Sequence, residues 1–156
     1  TGWRIGYAAA PDVLIKALDL LQGQQTSGAC TIAQWASVEA LNGPQDHLPR
    51  FRKAFEERRD LVVSMPNQAR YIKCPMPEGA FYVYPNVTEV CRKLKLKDSK
   101  ELQHYLLYEA GVAVLARTCF GSKNQEETQE YIRLSYAASR ENIREGLRRI
   151  KEAVEK

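Results

Sequence analysis

Tyr131-Ile132-Arg133-Leu134-Ser135-Tyr136-Ala137 alternates bulky apolar residues with polar ones, the period of a half-buried strand, and carries an arginine at its middle. Directly after it, the stretch from about Arg140 to Glu155 sets Ile143, Leu147, Ile150 and Val154 at 4-3-4 spacing, a helix with one apolar edge. A strand feeding such a helix predicts a layer of helix on sheet.

Upstream of this pair the same alternation of elements continues. Val112 to Leu115 reads as a strand. Before it, Asp98 with Glu101 three residues on resembles a capping box, opening a helix through Leu102, Tyr105, Leu106 and Ala110 that Gly111 stops. Two shorter strand candidates, Arg70 to Cys74 and Ala80 to Tyr84, are joined by Pro75-Met76-Pro77-Glu78-Gly79. A long charged helix from about Asp46 (Leu48, Phe51, Phe55, Leu61, Val62) stops before Pro66. Residues 48–156 thus read as helix, two strands, helix, two strands, helix. The fold class is α/β, with an α+β small domain of helices packed on a small sheet of short strands.

Residues 1–47 read differently. Trp3 to Ala10 suggests a strand ended by Pro11. Pro11-Asp12 opens a helix with Val13, Leu14, Ala17, Leu18 and Leu21 at helical spacing. Gly23 to Gly28 is a polar break, and a second helix from about Thr31 ends at Asn42-Gly43-Pro44. Both helices are apolar over a wide arc, more than the rest of the chain is expected to cover. This strand-helix-helix piece reads as the tail of a larger domain. The opening Thr1-Gly2-Trp3-Arg4-Ile5-Gly6-Tyr7, strand-like from the start and without an initiator methionine, reads as a cut end.

Composition narrows the function classes. The 156 residues are 44% apolar and 27% charged, the balance of a globular protein. No apolar run reaches the length of a membrane span, and no secretory leader pattern is present, so the expected location is the cytoplasm. The net charge of +4 comes from acidic and basic residues interleaved along helices, a solvated face and not a nucleic-acid stripe. Cys30, Cys74, Cys91 and Cys119 form no C-x-x-C pair, and His47 and His104 fall at no metal-ligand spacing. Four free, mostly buried thiols are expected.

Four segments, in this order, resemble the aspartate aminotransferase type of pyridoxal-phosphate-dependent aminotransferase, fold type I, class I/II. They are Gly2-Trp3-Arg4-Ile5-Gly6-Tyr7, Pro77-Glu78-Gly79-Ala80-Phe81-Tyr82, Glu109-Ala110-Gly111-Val112-Ala113-Val114 and Tyr131-Ile132-Arg133-Leu134-Ser135-Tyr136-Ala137. In the family the first follows a Ser-Lys-x-x-x-Met-Thr stretch whose lysine forms the Schiff base with the cofactor, so the resemblance puts that lysine upstream of Thr1. By the same resemblance residues 1–47 end a large cofactor-binding domain and 48–156 form the small C-terminal domain. The implied reaction moves an amino group between an amino acid, aspartate or a related one, and a 2-oxo acid by a ping-pong route, in a homodimer. The 156 residues alone are then expected to be inactive.

Each candidate residue has a plainer reading beside the functional one. Arg4, in an apolar stretch, is either a surface or ion-paired arginine or, by the resemblance, the holder of the cofactor phosphate, for which its fork of donors suits. Arg133 either points to solvent from its strand or, by the resemblance, clamps the substrate α-carboxylate bidentately. Gly79 is either a turn glycine or part of a loop near the substrate. Phe81 is either core or a wall of that site. Thr26 and Ser27 are either linker or, by loose alignment, a segment near the partner's cofactor phosphate across the dimer.

Two departures stand out. Gly23-Gln24-Gln25 lacks the arginine that some aspartate aminotransferases place there to read a side-chain carboxylate. Ala116-Arg117-Thr118-Cys119-Phe120-Gly121 stands where the family often has Pro-Gly-Ser-Ala-Phe-Gly, with Arg117 open between a surface replacement and an added anion contact. Other classes remain: a non-catalytic small-ligand module, a dimerisation domain, or an aminotransferase for aromatic, alanine or branched-chain substrates.

Overall fold

A computed structural model describes residues 2–156; Thr1, the residue before which the sequence reading places the cofactor lysine, lies outside the described residues. The chain divides into two units, one ending at Leu48 and one running Pro49–Lys156.

The first unit holds helices α1 (Asp12–Gln25) and α2 (Thr31–Asn42). Pro11 precedes α1 and its carbonyl accepts from Leu14 N at 2.9 Å, the start expected of a proline that lacks its own donor. α2 stops at Gly43, where a Cβ would come within 2.7 Å of the Glu39 carbonyl, so only glycine fits the turn. Residues 3–10, expected as a strand, form no ladder among the described residues. Arg4 breaks the extended backbone with φ of 53°, and the unit offers no second extended segment to pair with. The wide apolar arcs are real and uncovered: Val13 is 80% exposed and Trp35 70%, while Ala33 is the buried residue of the two helices.

α3 (His47–Ser64) begins with the last two residues of the first unit and otherwise belongs to the second; its last turn is followed by a 3-10 turn (Pro66–Gln68). The remaining elements are β1 (Tyr82–Val83), α4 (Thr88–Lys93), α5 (Ser99–Ala110), β2 (Leu115–Ala116), a 3-10 turn (Arg117–Phe120), β3 (Ile132–Ser135) and α6 (Arg140–Glu155). The three strands form an antiparallel sheet in the order β1-β3-β2, with Tyr82 opposite Ser135 and Leu115 opposite Arg133. This is the mixed α/β arrangement of helices against a small sheet.

The strands are shorter than expected: of Val112 to Leu115 only Leu115 lies in a strand, and Arg70 to Cys74 is not a strand. Its contribution shrinks to one bridge between Lys73 and Asn86. The Asn67 side chain takes the Cys74 backbone instead, donating to its carbonyl and accepting from its N–H, both at 2.8 Å. Pro75 and Pro77 then withhold the donors a ladder would need.

Two apolar clusters sit beneath the sheet. One gathers Val87, Val90, Leu102, Leu106, Val114, Ile132, Ile150 and Val154; the other Val62, Val63, Cys74, Val83, Tyr136, Ile143 and Leu147. α6 joins them, giving Ile143 and Leu147 to one and Ile150 and Val154 to the other, and Leu134 of β3 packs against both. Leu102 and Leu106 are fully buried, each worth about 1.5–3 kcal/mol of apolar burial. The thiols divide evenly instead of being mostly buried: Cys74 and Cys91 are buried, Cys30 and Cys119 exposed. Burial pushes the Cys74 and Cys91 thiols up to about 11, which keeps them protonated and inert. Among the described residues no helix is long and apolar enough to cross a membrane.

Candidate active site

β3 is the central strand, and its side chains alternate. Ile132 is 1% exposed and Leu134 packs on the core, so Arg133 between them projects to the opposite face. The register puts Tyr82, Leu115 and Ser135 on that same face. The Arg133 guanidinium lies over two rings, 4.2 Å from the centroid of Tyr82 and 4.8 Å from that of Phe120. Tyr84 meets Phe120 edge-on at 6.0 Å and stacks on Tyr131 at 5.0 Å. Arg133 therefore lies over two rings, and Phe120 continues into Tyr84 and Tyr131.

Among the described residues Arg133 has these rings and no carboxylate as partners. Contacts over a ring stabilise a guanidinium by about 0.5–1 kcal/mol each without using its in-plane N–H donors. The side chain is thus held while its fork keeps the capacity to bind a planar anion in two parallel hydrogen bonds. Such a group suits a carboxylate.

The Gly79 loop is tied to the end of β3. Tyr136 Oη donates to the Ala80 carbonyl at 2.8 Å, and Tyr136 N donates to the Phe81 carbonyl at 2.9 Å. Burial raises the Tyr136 hydroxyl's pKa, so it stays a donor. Gly79 is exposed and lines a cleft of about 190 Å³ with Arg59, Phe55, Pro77, Ala80 and Tyr136. Phe81 packs against Phe55 (6.0 Å between centroids) at the second apolar cluster, and its ring also lies 4.6 Å from that of Tyr82. It links the core to the ring beneath Arg133.

Arg4, Thr26 and Ser27 belong to the other unit. Arg4 is exposed in the segment leading into α1, while Thr26 and Ser27 leave its far end. Thr26 Oγ1 accepts from the Gln22 amide, and Ser27 has φ of 62°. Arg4, Ser27, Ala80 and Lys95 are the non-glycine residues with positive φ among those described, so three of the four are candidate residues or touch one in sequence. Backbone held in that sparsely populated region is a known mark of binding sites.

Nothing local in the sequence marks Tyr82 and Phe120 as neighbours of Arg133. Tyr82 ends one of the four quoted segments, and its pairing opposite Ser135 is the signal that a strand register would have supplied. Arg117 resolves into something the sequence left open. Its Nε and Nη2 grip Glu127 at 2.6 and 2.8 Å, and Nη1 donates to the Gly121 carbonyl at 3.1 Å.

Residues 1–150 match the family described as aminotransferase class I and II. The chain belongs to that family. A probable aspartate/prephenate aminotransferase from Rhizobium leguminosarum bv. phaseoli is 53% identical over 155 residues, covering 96% of this chain and 37% of that protein. The aspartate/prephenate aminotransferase of Cereibacter sphaeroides is 48% identical over the same length and shares. Among solved structures, the aspartate aminotransferase from Rhizobium meliloti superposes with a TM-score of 0.80 at 41% identity, covering 99% of this chain and 38% of that one. The aromatic aminotransferase from Pyrococcus horikoshii OT3 gives 0.80 at 30% identity, covering 99% and 39%. The chain spans well under half the length of these aminotransferases.

The class I and II aminotransferases work with pyridoxal phosphate. Arg4 stands before α1 and Thr26 and Ser27 after its far end, so the structure does not bring the three together; the guanidinium could meet one phosphate and the two hydroxyls another. A charged fork and an O–H group are each donors that fit a phosphate dianion chemically.

Proposed function

We propose that this chain is the C-terminal part of a pyridoxal-phosphate-dependent transaminase acting between an amino acid, aspartate or a related one, and a 2-oxo acid by a ping-pong route. The observation that carries the reading is Arg133 on the open face of β3, held by the Tyr82 and Phe120 rings with its donor edge uncommitted to any carboxylate among the described residues. Every amino acid and 2-oxo acid brings an α-carboxylate, which is the partner such a fork takes best. The names of the relatives support the substrate class.

In this reading Arg133 pairs bidentately with the α-carboxylate and fixes the rotation of the substrate Cα, so that one bond faces the cofactor ring. Tyr82 and Phe120 hold the guanidinium and keep water from its faces. The Gly79–Phe81 loop borders the substrate. Arg4 holds the cofactor phosphate, and Thr26 and Ser27 approach that of the second subunit in a cytoplasmic homodimer. The cofactor supplies the electron sink for the bond broken at Cα. Residues 1–47 then close the large domain and 48–156 form the small one.

Arg133→Lys in the whole enzyme is the test. The charge stays but the fork is lost, so kcat/KM should fall roughly a hundredfold for every amino acid while cofactor absorbance is retained. An unchanged kcat/KM would make Arg133 structural and sink the proposal.

A further inference from the structure

We propose that the Arg117–Glu127 ion pair is a positioning device for Arg133, acting through the ring of Phe120; this rests on the carboxylate role proposed above for Arg133. Phe120 is the last residue of the 3-10 turn that follows β2, and it is 44% exposed, so burial alone does not fix its ring. Yet that ring stands 4.8 Å from the Arg133 guanidinium and edge-on to Tyr84 at 86°. Something must hold the turn.

Arg117 does so from both ends of its side chain. Its backbone N–H donates to the Tyr131 carbonyl at 3.0 Å and to Ser99 Oγ at 3.2 Å, which anchors the start of the turn to the residue before β3 and to the first residue of α5. Its Nη1 donates to the carbonyl of Gly121, the residue after Phe120, and this ties together the two ends of the turn that carries the ring. Glu127, six residues further on, takes the other two donors in a bidentate grip. The two side chains are only 16% and 22% exposed, unlike the surface pairs on α6. A half-buried fork-to-carboxylate pair fixes geometry where a solvated pair does not. Glu127 also satisfies Arg117, which leaves Arg133 as the guanidinium of this sheet end to receive an anion. The hydrogen bond between them raises the Arg117 pKa and lowers that of Glu127, so both are charged throughout the neutral range.

The prediction is a change in substrate affinity at a distance from the substrate. In the whole enzyme with its cofactor, Glu127→Gln should raise KM for the amino acid and for the 2-oxo acid alike by about tenfold, with a much smaller change in kcat. Phe120→Leu should do the same, and the double variant should be no worse than the more damaged single one, because both break one chain of contacts. The exchanged pair Arg117→Glu with Glu127→Arg should recover part of the loss. A merely structural pair would lower Tm without raising both KM values together, and its effect would add to that of Phe120→Leu; either result overturns the proposal. If Glu127→Gln does not fold, Phe120→Leu alone decides: unchanged KM values overturn it. Arg133→Lys run in parallel separates the two readings. Normal activity there sinks the transaminase assignment of Arg133, whereas impaired Arg133→Lys beside normal Glu127→Gln sinks the positioning role only.

Discussion

Gly111 shows how much one residue can fix. It follows α5 at φ of 65°, and its N–H position lets the chain turn out of the helix, with Val112 N bonding back to the Leu106 carbonyl at 3.0 Å. A Cβ at this position would be in the left-handed region and 3.2 Å from Arg149 Nη1. Gly111→Ala should therefore cost about 1–2 kcal/mol, seen as a lower urea midpoint with an unchanged slope. A neutral midpoint would mean that the turn relaxes. Arg133 and Arg117 make the complementary point about side chains. They are both arginines on or beside β strands, but one has rings as partners and the other a carboxylate, so the donors of one are committed to an anion and those of the other are not.

Among the elements, the start of α5 is tied by a buried carboxylate to the segment just before β3. Glu130 is 8% exposed; its carboxylate accepts from Ser99 N at 2.8 Å and pairs with Lys123, while its own N–H donates to Thr88 Oγ1 at 2.9 Å. Burial pushes the Glu130 carboxyl up, but the hydrogen bonds from Lys123 and Ser99 outweigh it and leave the pKa below its ordinary 4.5. A folded-state pKa depressed in this way stabilises the protein above 4.5 and loses that contribution as the pH falls through the lower folded value. Glu130→Gln should thus cost about 2 kcal/mol at neutral pH and flatten the fall of stability below 4.5, followed by chemical denaturation across pH. An acid limb as steep as the parent's would remove Glu130 from its origin. Elements with strong local signals were legible in the sequence. α6 matches its expected limits because its apolar edge repeats over four turns, and α5 has both the Asp98 cap and the Gly111 stop. Even there the capping box is offset, since the Glu101 carboxylate takes Lys97 N at 2.7 Å and not the N–H of Asp98. α4, at six residues, is too short to show a period, and the strand expected at 70–74 depended on a partner the sequence could not reveal.

At the scale of the molecule, the candidate site's arginine was legible and its surroundings were not. Arg133 could be read from a local alternation and a motif, but its rings come from β1 and from the turn after β2, distant positions that only the sheet order brings together. The same non-local logic separates the two units. Both apolar clusters are drawn from residues after 49, and α6 ties them into one core. The unit ending at Leu48 buries only Ala33 of its two helices and leaves Leu20, Leu21, Ile32 and Leu41 each 60% exposed or more. Apolar burial is the main term opposing chain entropy, so cooperativity should reside in the second unit. A chain of residues 47–156, which keeps α3 intact, should unfold in a single urea transition and protect the amides of α5 and α6 from exchange. Residues 2–46 produced alone should show no such transition. A broad, non-cooperative melt of 47–156 would mean that its two clusters do not suffice as a core and that the first unit supplies part of its stability.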